Sequence, residues 1–292
     1  MERKDISKEH EKLMRPSDNL KQSRRLKSHK EPQKMESKFS EKNTEVPKLI
    51  FVVPYRDREN QVAFFQRHMK YILEDYRESE YEILICHQND KRSFNCGAMK
   101  NIGFLIAKKR YPRHYQDITF VFNDVDTLPF VKNTLQYETT PRNVKHFYGF
   151  THTLCGIVSI RGADFESLNG FPNFWAWGYE DNLLYDRALR SKMRVDRDNF
   201  FEYADKDIMH FQDGYIKKVN KGEFERYAKG TLEGIHSIYQ LTYHQNSTTG
   251  FYDIDSFVTT NPENIQQRTT HDLHNGTTPF RSTRRAVMSM RL

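Results

Sequence analysis

Residues 49–58 read Leu-Ile-Phe-Val-Val-Pro-Tyr-Arg-Asp-Arg, an unbroken apolar run stopped by a proline and followed by charged side chains. A run this short, without polar alternation, predicts a strand buried on both faces, as in a parallel sheet, with the charged residues at its carboxyl end. Residues 60–75 follow with Val62, Phe65, Met69, Ile72 and Leu73 at helical spacing. The alternation then repeats, with Tyr81–Cys86 as a second strand, Asn95–Lys109 as a helix and Ile118–Phe122 as a third strand. Strand and helix in strict alternation predict an α/β domain around a mostly parallel sheet. Farther on, Gly156–Ile160 reads as another strand, Asn169–Pro172 as a turn and Glu180–Ser191 as a helix with an acidic first turn.

The chain has 292 residues, 37% apolar and 29% charged, enough for one large globular domain or two small ones. Its net charge of +7 would suggest an anionic partner if the charge lay on the folded part. Residues 1–46, however, hold 13 basic against 9 acidic side chains and so carry +4 of it. That segment has few apolar residues and no sustained period, which predicts a disordered, charged N-terminal tail. The domain is expected over residues 47–260, and residues 261–292, rich in Thr, Asn, His and Arg, as a polar and basic C-terminal tail. No stretch approaches the ~18 apolar residues of a membrane span, and no apolar signal-peptide core is visible, so a cytoplasmic or otherwise soluble protein is expected. Three cysteines are too few for a disulfide framework, which agrees with a reducing compartment. The N-terminal tail mixes both signs and has almost no aromatics, so no nucleic-acid partner is expected.

In open α/β sheets ligands bind beyond the carboxyl ends of the strands. Arg56 and Arg58 follow the first strand there, and Asp124-Val-Asp126 follows the third. At a strand end both carboxylates point the same way, an arrangement suited to a hard divalent cation that also holds phosphate oxygens. The alternative is a polar strand end capping the next turn. Phe174-Trp-Ala-Trp-Gly-Tyr-Glu-Asp181 places both tryptophans of the chain beside an acidic pair at a helix start. Trp faces stack on sugar rings, and carboxylates accept hydrogen bonds from hydroxyls or serve as a general base; a hydrophobic anchor before an acidic helix start is the alternative. In the segment from Asp207 to Asp213, His210 is a candidate metal ligand with Asp207 or Gln212 nearby. Together these signals describe a metal-dependent nucleotide-sugar transferase.

Val53–Arg58, Phe94–Phe104, Phe120–Asp126, Asn169–Pro172, Phe174–Asp181 and the His210 segment, in that order, resemble the β-1,4-galactosyltransferase family, glycosyltransferase family 7. The similarity runs from about Leu49 to about Tyr243. It implies a GT-A fold and inverting transfer of galactose, or of N-acetylgalactosamine, from a UDP-sugar to a glycan or glycoprotein acceptor. It further implies Pro54, Arg56, Arg58 and Phe94 around the uridine and phosphates, Asp124 at the donor, and Asp126 with His210 on Mn²⁺, Mg²⁺ being possible. Trp177 and Gly178 would line the sugar sites, Glu180 would bind sugar hydroxyls, and Asp181 would be the catalytic base.

Several positions depart from that pattern. Cys96 stands where the family usually has Arg, and Ala176 and Tyr179 stand where it has Gly. A third metal ligand is expected three residues before His210 or two after it, where this chain has Asp207 and Gln212; Asp207 would complete an all-hard set. Thr153 stands where the galactose-transferring vertebrate members have a Tyr that helps exclude a 2-acetamido group, which implies use of UDP-GalNAc. Two other readings fit these departures: an N-acetylgalactosaminyltransferase acting on a polysaccharide chain, and a catalytically inactive sugar- or nucleotide-binding relative. Cellular members are typically Golgi proteins with an N-terminal anchor, whereas the N-terminal segment here is polar.

Overall fold

The structure is a computed structural model that describes residues 45–212, 214–275 and 279–280. The elements begin with β1 (Leu49–Tyr55), α1 (Glu59–Ile72), β2 (Tyr81–Gln88), α2 (Cys96–Arg110) and β3 (Thr119–Asn123). β4 (Thr127–Pro129), β5 (Asn143–Gly149), β6 (Ile157–Arg161), α3 (Gly162–Ser167) and α4 (Glu180–Arg190) follow. Then come β7 (Arg194–Asp196), β8 (Phe201–Glu202), β9 (Ile208–His210), β10 (Ile216–Asn220), α5 (Lys221–Lys229), β11 (Ile238–Gln245), β12 (Tyr252–Thr259) and β13 (Arg268–Asp272).

The expected strand-helix alternation is present, with boundaries moved by one to three residues. The central sheet runs β11-β12-β2-β1-β3-β6-β5-β7, with β8 also on β5. β1 pairs in parallel with β2 and β3, as do β12 with β2 and β5 with β7 and β8, while β6 is antiparallel to both β3 and β5. Chain order reverses across β1, so the site is expected where the carboxyl ends of β1 and β3 part.

β1 is buried at every position. Ile50 and Val52 pack with Ala98, Met99 and Ile102 of α2 and with Phe120 and Phe122, whereas Leu49, Phe51 and Val53 pack with Val62, Phe65 and Met69 of α1. That two-residue alternation, helix on each face, explains why an unbroken apolar run was required. Each fully buried side chain of this kind contributes about 1.5–3 kcal/mol. Asn95 starts α2 by accepting a hydrogen bond from the Ala98 amide at 2.9 Å.

The C-terminal boundary expected at residue 260 is corrected by the structure. β13 pairs antiparallel with β10, from Ile216 opposite Asp272 to Asn220 opposite Arg268, and the Asn261 carbonyl accepts from the Trp175 indole at 3.0 Å. The folded unit therefore reaches at least Asn275. A two-stranded ribbon wetted on its sides needs no apolar period, so its composition resembles that of a tail. The expected disordered tail lies almost wholly outside the described residues, as does most of residues 276–292. No helix among the described residues is long and apolar enough to cross a membrane.

Candidate active site

A cavity of about 610 Å³ opens at the carboxyl ends of β1 and β3. One wall follows the strand ends and carries Pro54, Arg56, Arg58, Asp124 and Asp126, with Phe94 and Cys96 at the start of α2. His210 and Gln212 lie beside Asp126 on the same side, because β9 pairs with β4, and the facing wall carries Trp177, Gly178, Glu180 and Asp181, then Lys217 and Lys218, and Leu273 beyond β13. Thr153 also lines the cavity. The residues singled out from sequence thus converge on this cavity, except Asp207.

On the strand-end wall, Arg56 donates to the Arg92 carbonyl at 2.5 Å and lies 5.3 Å over the Phe94 ring, which fixes a guanidinium at the rim. Arg58 meets Asp126 Oδ2 at 3.0 Å, and the Thr127 hydroxyl donates to Asp126 Oδ1 at 3.1 Å. Asp124 accepts from the Gly156 amide at 3.3 Å, and its own amide donates to the Gly156 carbonyl at 2.9 Å. Gly156 has φ +72°, and a Cβ there would stand 2.6 Å from the Tyr148 carbonyl oxygen, so this clasp requires glycine.

β4 pairs with β9 so that Thr127 faces His210, and the Phe211 amide donates to the Asp126 carbonyl at 2.8 Å. Asp126 and His210 are thereby brought side by side. His210 Nδ1 meets the Tyr148 hydroxyl at 3.2 Å, leaving Nε2 as the ring nitrogen not engaged by that tyrosine. Side chains alternate along an extended chain, so residues 210 and 212 share a side while 207 does not. Accordingly Gln212 lines the cavity, whereas the Asp207 side chain is 54% exposed, pairs with Lys206 at 3.0 Å and lies outside it. This corrects the expectation for Asp207; Asp213 lies outside the described residues. Among the described residues no three His, Cys, Asp or Glu side chains cluster closely enough to hold a metal by themselves. The donor set present is one carboxylate, one imidazole and a neighbouring amide. It fits a hard cation completed by ligand oxygens.

On the loop wall the two tryptophans separate. Trp175 is fully buried, stacks on Phe257 at 5.2 Å and donates to the Thr259 hydroxyl at 3.1 Å, so it is the hydrophobic anchor. Trp177 is held at the cavity by its amide, which donates to the Lys218 carbonyl at 2.9 Å. Gly178 at φ +101° and Tyr179 at φ +75° turn the chain left-handed into α4, a conformation costly for tyrosine. Tyr179 lines the cavity, and its ring packs against Phe224 and Tyr227. Glu180 is 7% exposed and its Oε2 has no partner. Burial pushes the Glu180 carboxyl up. Burial also drives Asp181 well above the usual carboxylate range, with Glu180 and Asp124 adding to the shift against the pull of Lys100.

Lys100 was not among the residues expected here. It is 2% exposed, with Nζ 3.1 Å from Asp124 Oδ1 and 3.2 Å from Asp181 Oδ1. Burial favours the neutral amine, but the two carboxylates outweigh it and keep the ammonium well above the ordinary lysine range. Every position of α2 from Gly97 to Phe104 is buried, Asn101 included, so no break in a polar face marks Lys100 in the sequence.

Two family models match the chain in succession. The N-terminal region of glycosyl transferase group 7 matches residues 10–138, and the N-terminal domain of galactosyltransferase matches residues 137–212. The chain belongs to glycosyltransferase group 7. Among curated group 7 relatives, beta-1,4-galactosyltransferase 1 of Bos taurus is 30% identical over 209 residues, which is 67% of this chain and 50% of that protein. Xylosylprotein 4-beta-galactosyltransferase of Caenorhabditis elegans is 34% identical over 164 residues, 53% of this chain and 54% of that protein. The chain thus spans about half the length of the curated relatives it matches. The catalytic domain of Drosophila beta-1,4-galactosyltransferase 7, solved with xylobiose, superposes with a TM-score of 0.59 at 21% identity, over 74% of this chain and 96% of that one. A mutant of the same enzyme, solved with manganese, UDP-Gal and xylobiose, superposes equally well. These likenesses establish the GT-A fold for this group 7 chain.

Proposed function

We propose that this cavity is the active site of an inverting, metal-assisted glycosyltransferase that moves a hexose from a UDP-sugar to a hydroxyl of a glycan acceptor. The observation that carries the reading is the division of one cavity into two chemistries. Arg56, Arg58 and the Asp126–His210 pair stand on one side, and Glu180 and Asp181 beside Trp177 on the other. A sugar diphosphate needs the first set and an acceptor hydroxyl the second. Membership of group 7, and a structural relative that binds manganese, UDP-Gal and xylobiose, support the same pairing.

Asp181 takes the proton of the acceptor hydroxyl as general base. The freed oxygen forms its bond to the anomeric carbon on the face opposite UDP, and the bond to the phosphate oxygen breaks with its electron pair leaving on UDP. Asp126 and His210, with the Gln212 amide beside them, would hold Mn²⁺ or Mg²⁺, which when bound neutralises charge on the departing diphosphate. Glu180 offers its unpartnered oxygen to sugar hydroxyls, since a buried acceptor without a partner is costly until a ligand supplies one. Arg56 and Phe94 hold the uridine end.

Thr153 sets the donor. It is 4% exposed, and its hydroxyl is tied to the Phe150 carbonyl at 3.2 Å and to Cys155 Sγ at 3.0 Å. A small, tethered side chain at the sugar end leaves room for a 2-acetamido group, so UDP-GalNAc is accepted at least as well as UDP-Gal. Purified protein with Mn²⁺, a panel of UDP-sugars and simple acceptor glycosides, assayed for UDP release, tests both statements. No release with any donor refutes the transferase reading; strict use of UDP-Gal refutes only the role of Thr153.

A further inference from the structure

We propose that Lys100 is a positioning residue of this transfer: its buried ammonium ties Asp181 on one wall to Asp124 on the other and so fixes the base against the donor sugar. The assignment rests on the transferase reading. Its physical basis is the geometry of the cavity floor. Asp124 arrives on the end of β3 and Asp181 on the first turn of α4, elements joined by more than fifty residues of chain. Lys100, from the second turn of α2, reaches both at 3.1 and 3.2 Å. The ammonium also lies 4.9 Å over the Phe171 ring, so protein groups surround it and none of its placement depends on a ligand.

A lysine in this position is otherwise hard to explain. Removing an ammonium from water is costly unless it is paired, and methionine would fill the same space without that cost. No other lysine among the described residues is buried. The pairing also has direction. Lys100 engages Oδ1 of Asp181, which leaves Oδ2 as the oxygen that meets an incoming hydroxyl. On the other side it holds Oδ1 of Asp124, while the Gly156 amide holds Oδ2, so Asp124 is clamped at both oxygens. Without the ammonium, Asp124, Glu180 and Asp181 would repel one another across the floor; the Gly156 amide would still hold Asp124, so Asp181 is the one that swings away.

The test is Lys100→Met, with Lys100→Gln as a second neutral variant should the first fold poorly. Turnover is expected to fall roughly 30- to 100-fold, as a base misplaced by about an ångström would dictate, with UDP affinity in Mn²⁺ unchanged within about threefold. Adding Asp181→Asn to Lys100→Met should cost almost nothing beyond Asp181→Asn alone, because a positioning residue has nothing left to position. Lys100→Arg, which keeps the charge, should recover part of the loss. Unchanged turnover in the neutral variants, or losses that multiply in the double variant, overturn the assignment. Crystals of Lys100→Met with UDP and Mn²⁺ judge it without turnover: Asp181 is expected to leave its wild-type rotamer, and an unmoved carboxylate overturns the positioning role. A wild-type protein that releases no UDP would instead overturn the transferase reading, and the rotamer would still decide whether Lys100 places Asp181.

Discussion

The strand-end wall and the loop wall of the cavity are built by opposite means. Arg56, Arg58, Asp124 and Asp126 each follow a fully buried strand by one to three residues, so the sheet fixes them and they move only if it does. The loop wall is gathered from Trp177–Asp181, β10 and the end of β13, pieces that lie far apart in the chain. It also contains a tyrosine in left-handed backbone whose buried hydroxyl has no partner. The difference teaches where change is tolerated. On the proposed reading, binding of a cation and diphosphate is anchored in the core, while recognition of the second substrate sits on parts that can vary without disturbing it.

If that division is functional, substitutions on the two walls should fail in different ways. Asp181→Asn, on the loop wall, should lower transfer by roughly 10³-fold, within the range that a general base contributes. UDP affinity in Mn²⁺, measured by calorimetry, should stay within about twofold; loss of UDP binding would break the comparison. Asp126→Ala, on the strand-end wall, should weaken UDP and Mn²⁺ binding together and lower transfer by roughly 10²-fold or more through the lost cation. Chelation of the wild type should reproduce that loss, and added Mn²⁺ should reverse it in the wild type only.

The pH profile sharpens the same comparison. Burial, with Glu180 and Asp124, raises the Asp181 carboxyl well above its ordinary value. A base works in its ionised form, so activity is present above the raised value and lost as pH falls through it. The acid limb of kcat/KM should therefore lie clearly above the ordinary aspartate value of about 4 and be missing from the residual activity of Asp181→Asn. A limb at about 4 would mean that the loop wall is wetter than its burial indicates.

Legibility from sequence divides along the same line. The strand-end residues could be found because an apolar run marks a strand and the polar residues after it mark the open edge of the sheet. Trp177, Glu180 and Asp181 could be found because two tryptophans beside an acidic pair are conspicuous. Lys100 could not, since a lysine on a helix is ordinarily assigned to a solvated face, and α2 is buried around most of its circumference and shows no polar stripe to contradict it. β13 was hidden because Arg268-Thr-Thr-His-Asp272, forming a wetted ribbon with β10, has the composition of a loose tail.

The smallest expected effects concern the third metal ligand, where two residues at similar distance along the chain make opposite claims. Asp207 is the stronger donor by chemistry, a carboxylate against the neutral amide of Gln212, and sequence reasoning prefers it for that reason. Geometry reverses the preference: three steps along an extended segment turn Asp207 to the far side of β9, where it pairs with Lys206, and two steps bring Gln212 back to the side of His210. Asp207→Asn should then leave Mn²⁺ activation unchanged within about twofold, the ordinary result of losing an exposed ion pair. Gln212→Ala should raise the Mn²⁺ concentration needed for half activation by roughly tenfold, the lower end of what outer or partial ligands contribute. The reverse ranking would mean that β9 rotates when the cation binds, and the contrast between a fixed wall and a variable one would then run through β9 itself.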